Sequence, residues 1–297
     1  MNKKPIVSII MNCHNGQTYL GQALKSIIGQ NYKNWELIFW DNKSSDRSAE
    51  IFKSIKDKRL KYFYSEKKTV LYKARNLAIK KARGQFLAFL DVDDFWRKDK
   101  LSKQLIKFKN KKIGLVYSNF FKYYGKNNKK IAHNHKLPEG KVTKKIIKDY
   151  SVGMLTIIVR KSFVSKMKNI FNYKYDLIAD FDFVLNFSLK YDFACINEPL
   201  AYYRIHNEQL QKKQMIIQAK QYCKWYKEKK VSKVFKDYDL SKIKYKFRYY
   251  DLLREIENNK INFFIKIFKN FNFVIFIKII AIILLPKKIL MNMIENV

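Results

Sequence analysis

Short apolar runs alternate with amphipathic stretches through the first third of the chain. Ile6 to Met11 is a continuous apolar run of strand length, Tyr19 to Gln30 puts Leu20, Ala23, Leu24, Ile27 and Ile28 on one helical face, and Trp35 to Trp40 predicts the next strand. After Asp41-Asn42-Lys43-Ser44-Ser45, a loop rich in capping residues, Arg47 to Ile55 predicts a second helix. Lys61 to Tyr64 then predicts a strand, Val70 to Ala82 a helix, and Gln85 to Leu90 a buried strand after Gly84. This alternation predicts a mostly parallel sheet covered on both faces, in which ligands sit at the carboxyl ends of the strands.

Beyond Asp94 the alternation loosens. Leu101 to Phe108 is helical in pattern, Ile113 to Tyr117 and Thr156 to Arg160 are strand-like, and Asp180 to Lys190 predicts a helix before the strand Phe193 to Ile196. From Asn207 onward the pattern is helix after helix: Gln209 to Lys229, Ile243 to Glu257 and Ile261 to Leu285. A domain boundary is therefore expected near residue 210, with no internal repeat on either side.

Composition excludes some classes and leaves a charge to explain. The 297 residues are 47% hydrophobic and 16% aromatic, enough for a large core, while only 8 glycines and 4 prolines exclude collagen-like and low-complexity chains. Lys+Arg number 62 against 25 Asp+Glu, a formal net charge of +37, so anionic partners are expected: nucleotides, nucleic acid or acidic lipid. Only nine of the basic residues are arginine, a lysine bias that AT-rich coding would itself produce. Cys13, Cys195 and Cys223 are far apart and form no CxxC pair, which fits a reducing cytoplasm, and the N-terminus lacks the apolar region and cleavage site of a signal peptide. The lysines are spread, and neither a helix-turn-helix nor an aromatic RNA-binding consensus is present, so no nucleic-acid partner is expected.

Three polar loops follow apolar strands: Asn12-Cys13-His14-Asn15, Asp41 to Asp46, and Asp91-Val92-Asp93-Asp94. In a parallel sheet they converge on one crevice. Three carboxylates within four residues repel one another, and a hard divalent cation such as Mg²⁺ or Mn²⁺, bridging to substrate phosphate, would relieve that repulsion. The alternative is a solvated loop in which Asp93 or Asp94 caps a following helix. His133-Asn134-His135 is a further metal-ligand pair without a third partner nearby, and is read as a solvated loop.

Four motifs carry a family resemblance. Val7-Ser8-Ile9-Ile10-Met11-Asn12-Cys13-His14-Asn15, Ile38-Phe39-Trp40-Asp41-Asn42-Lys43-Ser44-Ser45-Asp46, Ala74-Arg75-Asn76 and Phe89-Leu90-Asp91-Val92-Asp93-Asp94 resemble, in order, the signatures of family-2 glycosyltransferases with the GT-A fold. The likeness covers about residues 5 to 207 and is weakest between 110 and 150. It implies an α/β fold, a GT-A type Rossmann-like and mostly parallel sheet with helices on both faces, in a catalytic domain of residues 1–210. A helical C-terminal extension, 211–297, would follow. It also implies an inverting transfer from a nucleotide-diphospho-sugar, with UDP-sugars favoured and a divalent metal, Mn²⁺ or Mg²⁺, as cofactor.

By position, the resemblance makes Asp41 the acceptor from the nucleotide base, with Asn12 and His14 lining the same pocket. Arg75 lies by the base and diphosphate, and Asp91 and Asp93 form the Asp-x-Asp, Asp93 being the direct metal ligand. The general base falls on Asp180, in the run Ala179-Asp180-Phe181-Asp182-Phe183, with Asp182 the alternative; Ala179 stands where the family has Glu. Pro199-Leu200-Ala201-Tyr202-Tyr203-Arg204-Ile205-His206 is similar to the closing Tyr-Arg-x-His, which gives His206 to the diphosphate or the metal. The acceptor implied is a glycan or glycolipid of a bacterial surface polysaccharide or lipopolysaccharide. A sugar-phosphate nucleotidyltransferase is the nearest rival, but it would show a Gly-rich basic loop after the first strand, where this chain has only Gly16 and Gly21.

The tail predicts a membrane contact. In 261–297, Asn262, Lys266, Lys269 and Asn270 fall on one side of a helix, with Phe263, Phe264, Ile267, Phe268 and Phe271 on the other. Phe271 to Leu285 is about 22 Å long as a helix, short of the roughly 30 Å hydrocarbon core. The expectation is a cytoplasmic enzyme held peripherally on the inner face of the cell membrane, on anionic lipid, by its C-terminal helices. The alternative is packing of this tail on the catalytic domain or on a second copy of the chain, which leaves the oligomeric state open.

Overall fold

The structure is a computed structural model, and it describes residues 6–126, 128–207, 209 and 214–243, all within one compact unit, Met1–Lys244. The helices expected over Ile243 to Glu257 and Ile261 to Leu285, and with them the tail's membrane contact, lie outside the described residues.

The continuous apolar runs become the centre of the sheet. Strands β1 (Val7–Cys13), β2 (Trp35–Asp41) and β4 (Phe86–Phe89) are buried along their whole length, and β3 (Leu60–Tyr64) closes one edge. All four are parallel, in the order β3-β2-β1-β4, joined through helices α1 (Gln17–Ile28), α2 (Ser48–Ser54) and α3 (Leu71–Lys80). Their register aligns Cys13 with Asp41 and Asp41 with Tyr64, so the carboxyl ends finish level.

Alternate strand residues supply two cores. Val7, Ile9, Met11, Leu37, Phe39 and Ala88 pack with Leu20, Leu24 and Ile27 of α1 and Phe52 of α2. On the other face, Phe89 meets Phe171, which also contacts Tyr72 of α3. At the opposite end of the sheet, Ser8 donates to the buried Glu36 carboxylate (2.7 Å), and the same oxygen accepts the Arg83 backbone N–H (2.7 Å). Gly84 sits so close that a Cβ there would lie 2.6 Å from the Ser8 nitrogen, so this crossing admits only glycine.

The second half of the sheet is not parallel throughout. β5 (Phe95–Trp96), β6 (Ile113–Gly125), β7 (Asn128–Ile131), β8 (Ile158–Arg160) and β9 (Asp192–Arg204) complete the order β3-β2-β1-β4-β8-β6-β9-β5, with β7 on β6. β8 runs antiparallel to both β4 and β6, β6 and β9 are parallel, and β5 and β7 are antiparallel to their neighbours. The α/β fold expected from sequence is found, with the parallel order concentrated in the first four strands. Helices α4 (Lys100–Lys107), α5 (Thr143–Lys148), α6 (Ala179–Ser188) and α7 (Met215–Val231) complete the described residues. Among them no helix is long and apolar enough to cross a membrane.

Candidate active site

The loops after β1 and β2 are built into each other. The Asn15 N–H donates to Ser44 Oγ (3.0 Å), Ser45 N–H to Asn15 Oδ1 (2.8 Å), Gly16 N–H to Ser48 Oγ (2.9 Å) and Gln17 N–H to Asp46 Oδ2 (2.9 Å). Asn15 and Lys43 both take left-handed backbone (φ 57° and 63°), which asparagine tolerates better than most residues. Between the loops lies Asp41, 1% exposed, its two oxygens accepting the Ser44 N–H and the Tyr62 hydroxyl, each at 2.7 Å. Burial and that carboxylate push the Tyr62 hydroxyl well above its usual range, so it stays a donor. Asn12 is buried beside them, and among the described residues neither atom of its amide has a hydrogen-bond partner, while His14 is exposed.

Arg75 is only 2% exposed. It forms an ion pair with Asp91, its guanidinium lies 4.7 Å from the Tyr72 ring, and its Nη1 has no partner among the described residues. Burial raises the Asp91 carboxyl above the ordinary range, opposed by Arg75 and reinforced by Asp93.

Neither Asp93 nor Asp94 caps a helix, because the loop runs into β5. Asp94, 3% exposed, accepts the backbone N–H of Arg204 (2.9 Å) and so pins the end of β9. Burial, and then Asp93 and Asp91, hold its carboxyl far above the usual range. The Arg204 side chain donates to the Asp93 carbonyl (2.8 Å) and lies 4.4 Å from the Tyr19 ring. His206 Nε2 is 3.0 Å from Asp93 Oδ2, and its buried Nδ1 has no partner among the described residues. Asp91, Asp93 and His206 therefore come to one end of the sheet. Among the described residues, however, no three His, Cys, Asp or Glu side chains are arranged to hold a metal on their own. His135 meets Asp149 (3.3 Å) on the surface, away from these groups.

Asp180 and Asp182 stand in the first turn of α6 in different surroundings. Asp180 is half-buried near Tyr72. Burial raises its carboxyl above the ordinary range, opposed by hydrogen bonds and the Arg75 charge. Tyr150, with its hydroxyl buried and unpaired among the described residues, packs on Phe181 at 5.1 Å and feels the same carboxylate. Asp182 is 6% exposed and held by Trp225 Nε1 (2.7 Å), Asn186 Nδ2 (2.8 Å) and Lys229 (3.3 Å).

Several of these residues escape sequence reasoning. Tyr72 and Tyr150 lie in unremarkable stretches and are brought to Asp180 only by packing. Arg204 was visible inside the closing motif, yet its bond to the Asp93 carbonyl depends on β5 pairing with β9.

A family model described as "Glycosyl transferase family 2" matches residues 8–167, more than half of the chain. The Escherichia coli UDP-Glc:alpha-D-GlcNAc-diphosphoundecaprenol beta-1,3-glucosyltransferase WfgD is 32% identical over 171 residues, 58% of this chain and 66% of its own length. The chain spans between 41% and 66% of the length of three bacterial relatives it matches. Among solved structures, TarS 1–349 of S. aureus in complex with UDP has a TM-score of 0.58 at 21% identity, covering 73% of this chain and 65% of that one. The mannosyltransferase PcManGT of Pyrobaculum calidifontis, in complex with GDP-Man and Mn²⁺, has a TM-score of 0.58 at 12% identity, over 90% and 80% of the two chains. These structural likenesses agree on the fold, and neither a nucleotidyltransferase nor a nucleic-acid binder is favoured. With three motifs at strand ends, a fourth in α3 and a family model matched across them, the chain belongs to glycosyl transferase family 2.

Proposed function

We propose that this protein transfers a sugar, with inversion, from a nucleotide-diphospho-sugar to a hydroxyl of a glycan or glycolipid acceptor in cell-surface polysaccharide synthesis. The observation that carries the reading is the meeting, at the carboxyl end of one sheet, of the Asp41 pocket, the Arg75–Asp91 pair, the Asp93–His206 pair and the half-buried Asp180. Asp41, with Asn12 and His14, takes the nucleotide. Its carboxylate keeps lone pairs beyond those used by Ser44 and Tyr62, and the unpaired Asn12 amide offers a donor and an acceptor. A UDP-sugar is the favoured donor; UDP is the nucleotide in the TarS complex and in the name of WfgD.

A divalent cation fits the donor set. Asp93 would offer a hard carboxylate, Asp91 a second one and His206 an imidazole. When bound, Mn²⁺ or Mg²⁺ supplies charge to offset the departing diphosphate. Arg75 adds a fixed positive charge in a buried setting, and holds Asp91 in place. Asp180 accepts the proton of the acceptor hydroxyl as its oxygen bonds to the anomeric carbon. The bond from that carbon to the diphosphate breaks on the opposite face, and the nucleoside diphosphate leaves. Asp180 suits this role better than Asp182, because Asp182 already receives three donors. The tail, residues 261–297, is assigned to the inner face of the cell membrane on its amphipathic sequence pattern.

Incubation with UDP- and GDP-sugars, with and without Mn²⁺, tests the reading through release of nucleoside diphosphate, with NMR of the product's anomeric proton reporting stereochemistry. Release that needs no divalent ion overturns the metal assignment, and a retained anomeric configuration overturns the inverting one.

A further inference from the structure

Helix α7 begins well past the last residue of the family match, and its sequence is rich in lysine with no sustained apolar stripe. Five of its polar side chains nonetheless bond to one short target, residues 174–186. Gln221 Oε1 accepts the Leu177 N–H (2.8 Å), and Gln218 Nε2 donates to the Leu177 carbonyl (3.4 Å). Trp225 Nε1 donates to Asp182 Oδ1 (2.7 Å), and Lys229 reaches both Asp182 and Asn186 (3.3 Å each). Glu228 accepts the Tyr175 hydroxyl and pairs with Lys174 (2.9 Å). Residues 218, 221, 225 and 228/229 recur every three or four positions, so one stripe of the helix makes all of these bonds.

The target is the turn that presents Asp180. Leu177 lies three residues before it and Asp182 two after, and the Phe181 ring between them packs on Tyr222 (5.1 Å) and on the fully buried Trp225 (5.0 Å). From the other side the Tyr72 backbone N–H donates to Asp176 Oδ1 (3.1 Å), four residues before Asp180. We propose that α7 is a positioning element for sugar transfer: Gln221 and Trp225 hold the Tyr175–Asp182 turn so that Asp180 meets the acceptor hydroxyl at reacting distance. The inference rests on Asp180 being the general base. It makes the polar face of α7 a requirement for turnover that donor binding does not share, because the bonds of Gln218, Gln221, Trp225, Glu228 and Lys229 run to residues 174–186. A misplacement of about 1 Å in a reacting group can cost on the order of 100-fold in rate.

The test uses the full chain with Gln221→Ala, Gln221→Glu, Trp225→Phe and Asp180→Asn. Gln221→Glu keeps an oxygen for the Leu177 N–H, and Gln221→Ala removes it. Two readouts are taken: amide hydrogen exchange of peptides spanning 174–186, and UDP or GDP release from UDP-glucose, UDP-N-acetylglucosamine and GDP-mannose with Mn²⁺, water serving as acceptor. The expected result is faster exchange and a kcat lowered about 10- to 100-fold in Gln221→Ala and Trp225→Phe, with donor KM within about twofold of wild type. Gln221→Glu should recover most of both. Unchanged exchange in Gln221→Ala overturns the proposal even if none of the three donors turns over. So does faster exchange with unchanged kcat, or a fall in kcat that Gln221→Glu does not reverse. If Trp225→Phe fails to fold, the Gln221 pair decides alone. A fully active Asp180→Asn removes the base assignment instead, and is distinguishable because it leaves the exchange result standing.

Discussion

Gly16→Ala is a small change at a point where two parts of the site touch. Gly16 precedes α1 in the loop bonded to Ser44, Ser45 and Ser48, and a Cβ built there would lie 2.8 Å from Cγ2 of Val92 and 3.0 Å from the Cys13 sulfur. Carbon atoms sit comfortably at about 3.5–4.0 Å, so roughly 0.7 Å or more has to be found. Val92 is stiff at χ1 and stands between Asp91 and Asp93, so the loop has to carry the shift. The backbone at Gly16 (φ −103°) accepts alanine, so the effect is one of space. Overpacking of this kind costs about 1–3 kcal/mol, and at about 2–4 °C per kcal/mol for a domain of this size the midpoint should fall by roughly 2–12 °C. Displacement of the acidic loop should lower turnover by about 10- to 100-fold. Thermal unfolding and nucleoside diphosphate release measure the two effects. Val92→Ala removes the nearest carbon, so the Gly16→Ala/Val92→Ala double variant should regain at least half of the lost stability and activity. Wild-type behaviour of Gly16→Ala, or additive damage in the double variant, would refute contact between these loops as the cause.

Asp93→Asn should leave the unfolding midpoint nearly unchanged and abolish the dependence of donor affinity on added Mn²⁺; a variant that titrates with Mn²⁺ like the wild type counts against the ligand assignment. Asp180→Asn should cut turnover about 10²- to 10⁴-fold with little change in donor affinity. Because burial raises the Asp180 carboxyl and only its ionised form accepts a proton, wild-type kcat should fall as pH drops through a value above the ordinary aspartate range of about 3.9, a limb that Asp180→Asn lacks. Asp182→Asn should instead lower stability by about 1–3 kcal/mol, through the weakened bonds to Trp225 and Lys229, with kcat changed far less than in Asp180→Asn. Truncation after Asn259 should stop sedimentation with anionic liposomes and keep donor turnover; a full-length protein that ignores liposomes defeats the membrane assignment.

The parts of this fold visible in the sequence are those whose residues answer to one local rule. β1, β2 and β4 are parallel and buried on both sides, so Ile6 to Met11, Trp35 to Trp40 and Gln85 to Leu90 are continuous apolar runs. The strand expected at Ile113 to Tyr117 instead runs on to Gly125, and the one expected at Phe193 to Ile196 continues to Arg204. Their extensions carry half-buried Lys122, Tyr123, Tyr202 and Arg204, which break the apolar pattern, and β9 passes Pro199 where its register with β6 shifts. β7 is wholly exposed and has no pattern to detect. At the site, the positions of Asp41, Asp91 and Asp93 at or after strand ends are legible because the strands are continuous apolar runs. The resemblance already prefers Asp180 to Asp182, but their different surroundings are not legible, because two carboxylates in one helical turn look alike until Trp225 is brought against one of them.

The interlocked loops after β1 and β2 have a consequence for how the molecule breathes. Amides in such loops ordinarily exchange with solvent quickly, yet those of Asn15, Gly16, Gln17, Ser44, Ser45 and Ser48 are each tied to a side chain, four of them across the two loops. No one of these segments can open without releasing the other, so they should exchange as a single cooperative unit at a rate closer to that of the strands they follow.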